Sequence, residues 1–319
     1  MGLIWPSELR QLGIVGMNRR NVEYIARNNE RRCYPMVDNK LKTKLAATEW
    51  GIDVPELYGE VRYQYQARRL EQIIGDRETF VIKPAQGCGG KGILVIVGRR
   101  GNRFIKPSGS ELSLRELKGH VSNILSGLFS LGGRLDVAMV EELVNFDDRF
   151  ARYSYEGVPD VRVVVYKGYP VMAMLRCSTR ESDGKANLHQ GAVGVGIDIV
   201  SGTSICAVQH NCNVDKHPDT GHSFEGLKIP QWPKILKLAA GCYEMTSLGY
   251  LGADVVLDAD RGPLILEINA RPGLAIQIAN RIGLRKRLNE IDLLKPGPKD
   301  VDSRIADSRR LFGARRDQK

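Results

Sequence analysis

Hydrophobic and polar positions change rhythm along this chain. Up to about residue 60 the rhythm is helical. NRRNVEYIARNNERR is polar with sparse apolar positions, and KLKTKLAATEW spaces its apolar residues at helical intervals until Gly51 ends the run. GIDVPELYGEV reads as a turn and a strand, and QARRLEQIIGDRE as a short amphipathic helix stopped by Gly75. TFVIKPAQGCGGKGILVIVGRRGNRFIKP predicts strand, glycine loop, strand, turn and strand, and ELSLRELKGHVSNILSGLFSLGG a long helix. From Asp136 the chain turns strand-rich, with DVAMVEELV, DVRVVVYKG, YPVMAMLRCS, QGAVGVGIDIV and TSICAVQHN. PQWPKILKLAAGCYEMTSLG is helical, the hairpin GADVVLDADRGPLILEINA follows, and a last helix leads into a basic tail. Hairpins rather than a regular βαβ alternation predict an α+β chain with largely antiparallel sheets. There is no internal repeat.

Within that pattern, LILEINARPG starts as a buried strand and then places Glu267 and Asn269 two apart, on one face. DADRG upstream is a strong turn signal, so Asp254 on the outgoing strand lies across from Leu266 or Glu267. Two carboxylates and an amide oxygen without Cys or His suit a hard cation, Mg²⁺ above all, with Mn²⁺ as the alternative. Such a site takes its remaining ligands from phosphates and water. A phosphate binder is present in FVIKPAQGCGGKG, where a strand ends at Lys83 and Gly87, Gly89, Gly90 and Gly92 let backbone N–H groups approach phosphate oxygens, with Lys91 adding charge. The spacing is not that of a P-loop, since no Ser or Thr follows Lys91, and a hairpin lid over a nucleotide fits better. AMVEELV carries Glu141 and Glu142 at its end, where backbone edges can pair with an adenine and an acid can accept from ribose hydroxyls. Arg162 and Arg176 sit in apolar strands and need partners, for which an anionic ligand is one choice. ANLHQGA adds Asn187 and His189 beside a tight glycine.

Composition narrows the classes. At 319 residues, 42% hydrophobic and 26% charged, the chain is globular, and it has no apolar run of membrane-spanning length and no signal peptide, so a cytoplasmic protein is expected. Cys33, Cys88, Cys177, Cys206, Cys212 and Cys242 are scattered and read as reduced thiols, and the spacing of Cys212 with His210, His217 and His222 matches no common zinc pattern. Cys88 falls within the glycine lid and reads as a small filler. The net charge of +10 is uneven. Residues 281–319 hold 12 Lys or Arg against 6 Asp or Glu, which leaves only +4 for the rest. The body is therefore no nucleic-acid binder by charge, and the basic run reads as a solvated, partly ordered terminus, with contact to nucleic acid, an acidic polymer or an anionic membrane surface as the alternative.

Taken in order, DNKLKTK…GIDVPE, FVIKPAQGCGGKG, VEELV, DVRVVV, NLHQGA, GADVVLD and LEINARPGL resemble the ATP-grasp superfamily, and within it the alpha-L-glutamate ligase group that includes the ribosomal-protein glutamate ligase. The resemblance spans roughly Asp38 to Leu274 and implies an ATP-grasp fold of two α+β lobes gripping ATP between them. It puts the phosphate lysines on Lys40 (with Lys44 the second choice) and Lys83, the lid on Gly87 to Gly92, and the adenine hinge on Glu141, Glu142, Leu143 and Val144. The ribose acid falls on Asp160, the ATP-side asparagine on Asn187, and the magnesium ligands on Asp254, Glu267 and Asn269. Arg162, Arg176 and Arg271 are the arginines for phosphate or substrate. Residues 1–37 then form a helical N-terminal segment, 38–280 the core with a lid-bearing part at about 75–135, and 281–319 the basic C-terminal helix and tail. The implied reaction is formation of an amide bond from a carboxylate and an amine through an acylphosphate, with glutamate the amino acid added. A non-catalytic ATP-binding regulator, or a ligase for another amino acid or a sugar-linked carboxylate, is the alternative. The family's N-terminal Rossmann-like domain has no counterpart in the 37 residues before DNK, so the acceptor is open; a partner protein is expected in place of that domain, and the resemblance also allows a homo-oligomer.

Overall fold

The computed structural model describes residues 5–87, 89–295 and 297–313; Cys88 of the lid and the last six residues of the basic run lie outside them. Two compact units emerge, one of residues 38–49 and 54–145, the other of 1–37, 50–53 and 146–319.

The smaller unit carries strands β1 (Leu57–Val61), β2 (Phe80–Pro84), β3 (Leu94–Ile96), β4 (Gly98–Arg100), β5 (Arg103–Ile105), β6 (Glu111–Ser113) and β7 (Ala138–Glu141). They form a four-stranded sheet in the order β1-β7-β2-β3 and a three-stranded sheet β4-β5-β6. The long helix expected from Glu111 begins only at Leu114, because Ser113 caps it: its Oγ accepts from the Glu116 N–H while the Glu116 carboxylate accepts from the Ser113 N–H. The helix ends at Leu125, and Gly127 follows at φ +82°. Leu117, Val121, Ile124 and Leu125 recur at helical spacing and bury against Phe80, Ile82, Val140 and Leu70. Removal of those side chains from water is what holds the glycine loop after β2 on a rigid base.

The larger unit is built on β8 (Asp160–Tyr166), β9 (Tyr169–Cys177), β10 (Val193–Ile197), β11 (Ser204–Gln209), β12 (Cys212–Val214), β13 (Tyr250–Asp258) and β14 (Gly262–Asn269). Its seven-stranded sheet runs β12-β11-β10-β9-β8-β13-β14, and every strand pairing among the described residues of both units is antiparallel. Helix Trp232–Thr246 packs on this sheet with Ile235, Leu236, Ala239 and Cys242 buried. The basic C-terminal stretch is not a solvated terminus over its described part. It forms helices Leu284–Asp292 and Val301–Gly313, in which Arg287 and Arg304 are buried. Arg287 Nη1 donates to the Val171 carbonyl at 2.6 Å, and Arg304 Nε to the Gly168 carbonyl at 3.0 Å while its Nη2 pairs with Glu244. No helix among the described residues is long and apolar enough to cross a membrane.

Candidate active site

In the larger unit the candidate residues meet on one face of the sheet. Paired residues on neighbouring antiparallel strands share a face, and so do residues two apart on one strand. Asp160 on β8 pairs with Arg176 on β9, and Arg162, two residues on, pairs with Asp254 on β13. Asp254 in turn pairs with Glu267 on β14, and Asn269 lies two residues further, opposite Gly252. A β-bulge decides this arrangement. Val255 pairs with Ile265 and Asp254 with Glu267, so Leu266 is the extra residue. Without it Asp254 would face Leu266, and Glu267 would point through the opposite face.

The row is ion-paired across the strands. Arg162 grips Asp254 with two hydrogen bonds, Nε to Oδ1 at 2.7 Å and Nη2 to Oδ2 at 2.6 Å. Arg176 grips Asp160 in the same two-pronged way, both at 2.6 Å, and its Nη2 also donates to Asp254 Oδ2 at 2.8 Å. Asn269 Nδ2 adds a fourth donor to Asp254 at 3.0 Å. Burial works against the charge on Asp254, but the two guanidiniums outweigh it and hold its carboxyl below the usual range. Burial dominates at Asp160 and pushes it up to about 6 despite Arg176. Arg176 remains charged, since the two carboxylates outweigh its own desolvation. Cys177, the next residue, is fully buried, and burial pushes its thiol far above the reactive range.

This donor set fits a hard divalent cation. Asp254 Oδ1 accepts a single hydrogen bond and keeps capacity, Asn269 turns its Nδ2 to Asp254 and leaves Oδ1 for another partner, and Glu267 is half-exposed beside them. Arg271 stands apart from the row. It is exposed, with its guanidinium 5.3 Å over the Tyr34 ring. Asn187 is half-buried and its Oδ1 accepts from the His189 N–H at 3.0 Å, capping a short turn. His189 itself is exposed.

In the smaller unit a second cluster forms. Lys44 and Lys83 are each 6% exposed and both reach Glu141, itself 3% exposed; the Lys44 contact is 2.8 Å. One carboxylate balances one of two buried ammoniums, so the trio carries an excess positive charge where desolvation makes charge costly. Burial lowers the pKa of Lys44, whereas the two lysines hold Glu141 below the usual carboxylate range against its own burial. The Glu141 side chain is thus committed to lysines. Glu142 continues the backbone pairing by donating its N–H to the Glu56 carbonyl at 2.9 Å, its carboxylate accepts from the Glu56 N–H at 2.9 Å, and Leu143 and Val144 follow as half-buried residues beyond the strand. Lys40, one helical turn from Lys44 in helix Lys40–Glu49, donates from Nζ to the Gly87 carbonyl at 3.0 Å. Lys44, the second choice from sequence, thus meets Lys83 at Glu141, while Lys40, the first choice, meets the glycine loop. Gly89 and Gly90 have positive φ and open space around them, and Lys91 is exposed.

A family model described as sugar-transfer associated ATP-grasp matches residues 19–293. The chain belongs to that family. The ATP-grasp reading of the motifs therefore holds at the level of the superfamily. No curated protein sequence matches this ATP-grasp chain. Among solved structures it is similar to the ATP-grasp ligase PsnB complexed with minimal precursor, at 14% identity and a TM-score of 0.45, over 83% of this chain and 63% of that one. It is also similar to the D-cycloserine synthetase DcsG, at 13% and 0.47 over 81% of this chain and 71% of that one. The D-alanyl-alanine synthetase A from Vibrio cholerae O1 biovar eltor matches at 11% and 0.46, over 88% and 66%. The ATP-grasp chain thus spans less than two thirds of the length of the PsnB chain that it matches.

Proposed function

We propose that this ATP-grasp protein is an ATP- and Mg²⁺-dependent carboxylate–amine ligase. The γ-phosphoryl group of ATP passes to a substrate carboxylate, and an amine then displaces phosphate to leave an amide bond. The observation that carries this reading is the register of the β13–β14 hairpin, which sets Asp254 directly opposite Glu267 with Asn269 two residues on. Those three side chains would hold magnesium, which when bound offsets the negative charge of phosphate oxygens. Lys44 and Lys83 offer a surplus cation for an anionic ligand, and the open Gly89–Gly90 backbone offers N–H donors. Arg162 and Arg176 lock Asp254 in its ionised form and so keep it fit for a cation. Arg271, exposed on its tyrosine, is free in direction to grip a substrate carboxylate with both prongs.

Glutamate, implied by the resemblance, is the amino acid proposed as substrate. The family's description as sugar-transfer associated favours a second reading, in which the acceptor is a carboxylate or amine linked to a sugar. ADP release with Mg-ATP, measured with each of the twenty amino acids and with sugar acids and amino sugars, separates the two, and mass spectrometry of the products names the bond. Glu267→Ala is expected to abolish ADP formation while the chain stays folded; full activity in that variant would sink the assignment of Glu267 to the metal site, and no ADP release by the unaltered protein with any of these substrates would sink the ligase reading.

A further inference from the structure

The glycine loop after β2 has two ends and a middle, and the structure treats them differently. At the entry, the buried Asp136 carboxylate accepts from the Gln86 N–H through both oxygens, at 3.1 and 3.0 Å, from the Val137 N–H at 2.7 Å and from Ser130 Oγ at 2.6 Å. Gly87 then forms a backbone bridge with Ser130. A side chain there is excluded, because a Cβ on Gly87 would lie 2.3 Å from Pro84 Cγ. At the exit, His120 Nε2 donates to the Gly92 carbonyl at 2.9 Å, and the Phe129 ring would be 2.5 Å from a Cβ on Gly92. A carbonyl oxygen only accepts, so a ring proton sits on the nitrogen facing Gly92, and burial lowers the pKa of the ring. His120 and Phe129 also face each other with centroids 5.5 Å apart. Between the anchors, Gly89 and Gly90 touch nothing within 4 Å of a Cβ.

We propose that Asp136, Ser130, Phe129 and His120 are positioning residues that form a frame for the loop, pinning Gln86 and Gly87 at one end and Gly92 at the other while Gly89 and Gly90 are left to adjust when an anionic ligand is bound. The frame limits what must be ordered on binding to a few backbone dihedrals, which keeps the entropic cost of the contact small. The proposal deepens the reading of this loop as a phosphate binder and rests on it for the ligand. The anchoring itself is a property of the free protein.

Hydrogen exchange at residues 86–92 in the full chain tests the anchoring without any ligand. Asp136→Asn and His120→Ala are expected to speed exchange there, and His120→Gln, whose amide can still donate to Gly92, to restore it. With Mg-ATP the same two variants raise the KM for ATP roughly tenfold, the loss of one charge-assisted or buried hydrogen bond each, and leave the KM of the carboxylate and amine unchanged. Should Asp136→Asn fail to fold, Ser130→Ala removes a single contact of the frame and is read in the same way. Unchanged exchange, or a fall in kcat with the KM for ATP unaltered, overturns the frame. Absence of nucleotide binding by the unaltered protein overturns instead the ligase reading, and the exchange result then still decides the frame.

Discussion

Glu141 faces two ammonium groups with one carboxylate, and both depend on it for their counter-charge. Replacing it by Gln leaves Lys44 and Lys83 desolvated without a counter-charge, which costs about 3 kcal/mol. Urea unfolding of Glu141→Gln is expected to show this loss, and added ADP to recover part of it, since ligand binding to the folded state stabilises by mass action. In the larger unit, the pKa values of Asp160 and Asp254 are shifted in opposite directions. Asp160, raised to about 6 from an unfolded value of about 3.9, contributes stability that is present at low pH and lost as pH rises through 6. Asp254, depressed by its arginines, contributes stability present above the unfolded value and lost as pH falls through its own lower one. Carbon-13 NMR of the side-chain carboxyls is expected to show Asp160 titrating near pH 6 with Asp254 ionised throughout that range. Both acids were legible in sequence as site residues. Their arginine pairing was legible only as a need for partners, because cross-strand register depends on contacts between residues far apart along the chain, 92 residues in the case of Arg162 and Asp254.

Elements were easier to read than their joints. Strand runs such as DVRVVV and YPVMAMLRC declare themselves by continuous burial, and the observed strands Asp160–Tyr166 and Tyr169–Cys177 match those runs closely. The bulge at Leu266 leaves no such mark, since a hydrophobic residue there is equally at home in a regular strand; the reading from sequence accordingly left Asp254 opposite either Leu266 or Glu267. A close joint also governs β10. A Cβ on Gly196 would lie 2.1 Å from the Ala279 carbonyl oxygen, so the short helix Ile276–Ala279 rests directly on the strand backbone. Gly196→Ala is expected to destabilise the fold by about 1–3 kcal/mol, read as a shift in the urea midpoint with the slope unchanged. The equivalent change at Gly89, which has space but a φ of +63°, is expected to cost less, about 1 kcal/mol.

At the scale of the whole molecule, charge counting misjudged the C-terminal run. A surplus of 6 positive charges in residues 281–319 suggests solvation, yet Arg287 and Arg304 are drawn inside by carbonyls and by Glu244. The guanidinium carries five donors on a largely apolar stem, so it can cap strand-end carbonyls that no apolar side chain could satisfy. Arg304→Ala leaves the Gly168 carbonyl and Glu244 without their donor and is expected to destabilise by about 3 kcal/mol. Hydrogen exchange checks where: protection is expected to fall at β8 and β9 and to stay unchanged at β2 and β7, which belong to the other unit.

Cys177 gives the charge row a clock. Its thiol is buried immediately beyond Arg176, so an alkylating reagent can reach it only when the end of β9 parts from its neighbours. The labelling rate is then the intrinsic thiolate rate multiplied by the fraction of time that this strand end is open, with the exposed Cys212 reacting at once as an internal reference. Whatever molecule the row was built to hold will slow that clock when it binds, so the thiol can search for the substrate before any product is known.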